Sequence, residues 1–111
     1  MNYQDFYRLL TDVSECDDFD TYAAEVGGSL PPEIDDARLL PLLSDLWAYG
    51  KDRNVATLRK LTGLSRAAFA RVYNLPLRTL ENWESSGSAN ARTAPQYVLD
   101  LLAYAVIIGG H

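Results

Sequence analysis

The sequence has one cysteine, Cys16, and one histidine, His111. A lone cysteine excludes a disulfide within the chain and fits a reducing compartment. With so few Cys and His, no cluster of zinc spacing can form. With the only histidine at position 111, a nucleophile paired with a histidine base is excluded as well. There is no phosphate-cradling glycine loop. The acidic run Asp17, Asp18, Asp20 lacks the spacing and the glycine of a calcium loop. Long apolar runs are also missing. The longest, "YVLDLLAYAVIIGG", contains Asp100 and is too short to span a bilayer. The opening "MNYQDFYRLL" has no basic-then-apolar order, so no signal peptide is expected. These absences predict a cytoplasmic protein with no catalytic residues, no metal, no cofactor and no membrane contact.

Basic residues are scarce in one half only. Residues 1–50 hold 11 acids and two bases, a charge of −9. Residues 51–111 hold four acids and eight bases, a charge of +4. The net charge of −5 therefore hides an acidic first half and a basic second half. Such a split is a hint of a nucleic-acid surface joined to an acidic arm.

What the chain does have is apolar residues, 48% of the total, spaced by three and four. No segment alternates with period two, so the fold class is all-α. Tyr3, Phe6, Tyr7 and Leu10 make one stripe on a first helix. Residues 18–26 read as a second, stopped at Gly27-Gly28. Residues 34–49 read as a third, with Leu39, Leu42, Leu43, Leu46 and Trp47 inward. Pro41 kinks it or marks its start, and Gly50 stops it. Asn54 caps a helix over 55–62, ended by Gly63. Ser65 caps the next, over 66–73. Asn74 suits a left-handed turn, and Pro76 suits the first turn of the helix that runs to about Ser85. "SSGSANAR" is a small-residue link. "TAPQ" matches a capping box, Thr93 with Gln96, opening a last helix to Ile108. Two regions follow: an acidic helical region, 1–50, and a basic helical domain, 51–111.

Residues 65–85 form a tight constellation. Phe69, Ala70 and Tyr73 face inward from the first helix, and Ala70 permits close crossing. Asn74 makes the turn, Leu75 fills the gap beneath it, and Leu80 with Trp83 close a shared core. "LSRAAFARVYNLPLRTLENWES" resembles the helix-turn-helix of lambda-repressor-like regulators, the xenobiotic-response-element group that includes several antitoxins. The resemblance covers about residues 54–108, and "RTLENWE" is its specific element. Arg66 stands where the family usually has Gln, and Asn74 where it has Gly. The link after "WE" is longer than the family's.

The resemblance implies that the second helix, about 76–85, enters the major groove of double-stranded DNA. Leu77, Arg78, Glu81, Asn82 and Ser85 would then touch bases. Arg78 suits guanine, Asn82 adenine, and Leu77 a thymine methyl. Glu81 can accept from cytosine or pair with Arg78. Arg59, Lys60, Arg66, Arg71, Thr79 and Arg92 are the candidates for phosphate contact. The expected function is a sequence-specific transcriptional regulator, a repressor or antitoxin-like autoregulator, acting as a homodimer. The last helix supplies a surplus apolar face for a dimer seam or for cover by the first helices: Tyr97, Val98, Leu101, Leu102, Tyr104, Ala105, Val106 and Ile108 lie on more than one side. Three roles are open to residues 1–50: enlarging the core, binding a protein partner, or mimicking DNA phosphates. The alternative function follows from the last two. It is a non-enzymatic interaction or inhibitor protein whose acidic region binds a basic partner, with the helix-turn-helix used for autoregulation.

Overall fold

A computed structural model describes residues 1–28, 30, 32–84 and 94–109. Among these the fold is all-helical: seven α-helices, one 3-10 turn and no strand. Expected features at Ser85, Arg92, Thr93 and His111 lie outside the described residues.

Helix α1, Tyr3–Asp12, starts where Asn2 Oδ1 accepts from the Asp5 amide at 2.8 Å. It buries Phe6, Leu9 and Leu10, and the stripe continues at Val13 in a 3-10 turn, Val13–Glu15. Tyr7, expected to face inward, is exposed. It sits about a quarter-turn away from Phe6, off the stripe that Phe6, Leu9, Leu10 and Val13 define. Helix α2, Phe19–Gly27, is capped by Asp18, whose Oδ1 accepts from the Thr21 amide at 2.7 Å.

Helix α3, Asp36–Lys51, carries Pro41 inside it. Pro41 cannot donate to the Ala37 carbonyl, but both residues are exposed, so water can take that carbonyl. The helix also runs through Gly50 instead of stopping there. Gly50 has a packing role. A Cβ at that position would lie 2.7–2.8 Å from three carbons of buried Val13. Only glycine lets the end of α3 pass so close to the 3-10 turn.

Helix α4, Val55–Thr62, is capped by Asn54 Oδ1, which accepts from the Thr57 amide at 2.9 Å. Gly63 ends it in the left-handed region at φ +72°. Helices α5, Arg66–Val72, and α6, Leu77–Glu84, follow. Helix α7, Gln96–Ile107, begins after Pro95 and buries Leu99, Ala103, Val106 and Ile107. The expected capping box rests on Thr93, which lies outside the described residues. Pro95 holds the cap position, and Gln96 Nε2 reaches forward to Asp100 Oδ1 at 2.9 Å.

Helix α3 is central. It packs on α1, α2, α4 and α7, while α7 also meets α1 and α4, and α4 carries α5 and α6. One apolar cluster runs from Phe6 and Leu10 through Leu46 and Tyr49 to Leu58, Phe69, Leu80 and Leu99. The boundary expected between residues 50 and 51 falls in the last turn of α3. The acidic half thus contributes to the same core as the basic half, which is the first of its three expected roles.

Asp100 is a charged residue buried in the core. Its Oδ1 accepts from the Tyr49 hydroxyl and from Gln96 Nε2, both at 2.9 Å. Arg53 Nη1 lies 3.9 Å from its other oxygen. Burial, and then the Asp100 carboxylate, pushes the Tyr49 phenol far above its ordinary value. This network pins α7 to the end of α3.

Candidate nucleic-acid interface

Helices α5 and α6 are joined by a turn whose geometry follows from four residues. Ser65 Oγ accepts from the Ala68 amide at 3.2 Å and starts α5. At the far end Asn74 takes φ +56°, the sole non-glycine left-handed residue among those described. The Leu75 amide donates to the Ala70 carbonyl at 2.8 Å, and the Asn74 amide to the Arg71 carbonyl at 3.4 Å. Those two bonds are the six-to-one and five-to-two pair of a Schellman end. Ala70 is buried directly at the turn, where a larger side chain would hold α6 away. Leu75 packs against the core below it. The Leu80 amide then donates to the Pro76 carbonyl at 3.1 Å, and α6 is under way.

The inner side of α6 is anchored twice. Leu80 is fully buried and Trp83 half-buried against the core. Glu84, with a side chain only 3% exposed, is gripped by Arg59 of α4. Arg59 Nε lies 2.9 Å from Oε2, and Arg59 Nη2 lies 3.0 Å from Oε1. Arg59 Nη1 donates to the Leu64 carbonyl at 3.2 Å. Arg66 Nε stands 3.4 Å from the same carboxylate. The charge-assisted fork fixes both the roll and the depth of α6 relative to α4.

The outer side carries Leu77, Arg78, Glu81 and Asn82, all exposed. Arg78 and Asn82 are four residues apart and share a face. No ion pair among the described residues engages Lys60 or Arg71. Lys60, Arg66 and Arg71 are exposed, and Thr79 is half-buried. Arg59, a candidate for phosphate contact, has all three guanidinium nitrogens engaged inside the fold.

Three residues carry more of the structure than their sequence context suggests: Glu84, Asp100 and Gly50. Glu84 could have been suspected from the pairing of an acid at the end of α6 with a basic α4. Asp100 was visible as the one charge in the apolar last helix. Gly50 has no local signal beyond its being a glycine before a turn.

Among the described residues no group of three or more His, Cys, Asp or Glu is placed to hold a metal ion. No helix among them is long and apolar enough to cross a membrane. The molecule thus belongs to the all-α class. Comparisons with protein-family models, with curated proteins and with solved structures give no significant match.

Proposed function

We propose that this protein is a sequence-specific DNA-binding regulator of transcription, with α5 and α6 as a lambda-repressor-like helix-turn-helix. The observation that carries this reading is the two-sided construction of α6. Its inner side is locked by Leu80 and the Arg59–Glu84 fork, and its outer side presents Arg78 and Asn82 one turn apart. A helix meant only to cover the core has no need of a fixed roll that displays these two side chains. Arg pairs best with guanine and Asn with adenine in the major groove, at about 1–3 kcal/mol each. Leu77 and Glu81 lie beside them on α6, and Ser85 follows in the sequence. Lys60, Arg66, Arg71, Thr79 and Arg92 are the proposed phosphate contacts. The reading is of a homodimer on a pseudo-palindromic site, because one eight-residue helix buries little DNA surface.

The test is enrichment of bound duplexes from a random library. The wild type is expected to converge on a motif. The Arg78→Ala, Asn82→Ala double variant, with unchanged helical content, is expected to enrich none. A wild type that enriches no motif at low salt defeats the reading.

A second reading keeps the fold and changes the partner. Glu15, Asp17, Asp18, Asp20 and Glu25 are all exposed around α2, which favours a basic protein as a ligand of the acidic half. Binding to a basic protein that survives the α6 double variant would support it.

A further inference from the structure

Helix α7 has two apolar faces, and the fold covers one of them. The covered face is Leu99, Ala103, Val106 and Ile107. The other is Tyr97, Leu101, Tyr104 and Ile108, at successive spacings of four, three and four. Helices pair along a seam with that spacing. Tyr97 is 69% exposed and Leu101 52%, while Tyr104 and Ile108 lie half-buried against their own chain. Tyr104 is a fixed knob. Its hydroxyl donates to the Met1 carbonyl, and its ring meets Phe6 and Tyr3 edge-on at 5.3 and 5.6 Å.

Charge decides what can cover this stripe. With a net charge of −5, two copies of the chain repel each other over most approaches. Helices α1 to α6 each expose a charged side chain: Arg8, Asp20, Arg38, Lys60, Arg71 and Arg78 are examples. The one charge of α7, Asp100, is buried, and the exposed positions of the helix are Gln96, Tyr97, Leu101 and Ala105. On α7 itself an acidic or basic partner finds nothing to recognise, and an identical stripe meets no like charge there; the Met1 ammonium beside Tyr104 is paired with Glu33.

The register also closes on itself. Place a twofold axis between Leu101 and Tyr104 of two antiparallel copies. Leu101 then faces the partner's Tyr104, and Tyr97 faces the partner's Ile108. Every large apolar group on the stripe meets another, as an isologous contact requires.

We propose that the Tyr97–Leu101–Tyr104–Ile108 stripe is the homodimer seam of this protein, two α7 helices packing antiparallel. The seam concerns α7 alone and stands whatever α6 reads. Sedimentation equilibrium tests it over about 1 μM to about 1 mM protein, the range of weak to moderate association. The wild type is expected to pass from monomer to dimer. Leu101→Glu is expected to remain monomeric throughout with unchanged helical content. Tyr97→Glu, at the most exposed position, repeats the test should the first variant unfold. Mixing Leu101→Glu with Leu101→Lys should restore association at least tenfold over either alone. A wild type that stays monomeric over the whole range overturns the seam. Dimerisation of folded Leu101→Glu at wild-type strength overturns it too.

Discussion

Arg59 of α4 and Glu84 of α6, 25 residues apart, are joined by a two-pronged ion pair with prongs of 2.9 and 3.0 Å. The two members differ in burial, 23% exposed for the Arg59 side chain against 3% for Glu84. That asymmetry predicts unequal costs. Arg59→Ala leaves a buried carboxylate with only Arg66 at 3.4 Å, and is expected to destabilise by about 3–5 kcal/mol. Glu84→Ala leaves an arginine that water can reach, so its cost is smaller. Arg59→Lys falls between the wild type and Arg59→Ala, because an ammonium cannot form the fork. Urea unfolding of the three variants gives the order. Equal losses for Arg59→Ala and Glu84→Ala would refute the burial argument.

Gly50 and Val13 set the distance between α3 and the turn after α1. Gly50→Ala puts a methyl within 2.8 Å of a fully buried side chain. The expected loss is about 1–3 kcal/mol, the usual cost of overpacking. Val13→Ala makes room, so Gly50→Ala should cost less in that background than alone. A double-mutant cycle on unfolding free energy measures this, and strict additivity would contradict the contact.

At the α5–α6 turn, Asn74→Gly keeps the left-handed φ of 56° without a Cβ and is expected to hold stability within about 0.5 kcal/mol. Asn74→Ala is expected to lose about 1–2 kcal/mol, the cost of an ordinary side chain in that region. The difference is read from unfolding midpoints. Asn74→Ala equal to wild type would mean that the turn does not depend on that conformation.

The helix starts and stops were legible because their physics is local. Asn54 and Ser65 each bond an amide three residues on, and Gly63 and Asn74 act through their own φ. The buried centres of α5 and α6 were legible from spacing. What stayed hidden depends on partners far along the chain. Glu84 meets Arg59 across 25 residues, and Asp100 meets Tyr49 across 51. The same distance effect hides the fork behind Arg59 and the packing of Gly50. A solvent-facing cation and a helix stop are what the two look like to their neighbours in sequence. The exposure of Arg78 and Asn82 was legible, because Leu80 and Trp83 fix which side of α6 turns inward.

Tyr22 and Tyr49 are fully buried, and burial is the main cause that raises both phenols well above 10.0. Tyr22 also donates to the Leu9 carbonyl at 2.8 Å. Groups whose pKa is raised by folding stabilise the fold fully below the unfolded value and lose that contribution as pH climbs through the folded one. Stability should therefore fall above about pH 10, where the unfolded chain ionises first. Tyrosinate absorbance and helical CD followed together against pH check this. Part of the tyrosinate signal is expected to appear only as helicity collapses. Ionisation of all seven tyrosines with helicity intact would contradict the burial of these two.

Salt-dependent binding to an enriched duplex tests the central proposal most directly. For the wild type, log K against log salt concentration should fall steeply, by about one unit of slope per phosphate neutralised. The Arg78→Ala, Asn82→Ala double variant should lose about 2–6 kcal/mol on that duplex, and the loss should vanish on an unrelated one. Arg71→Ala should weaken both duplexes alike and lower the slope by about one. Equal affinity of wild type and double variant for the enriched duplex, with both proteins folded, would contradict the assignment of α6 as the reading helix.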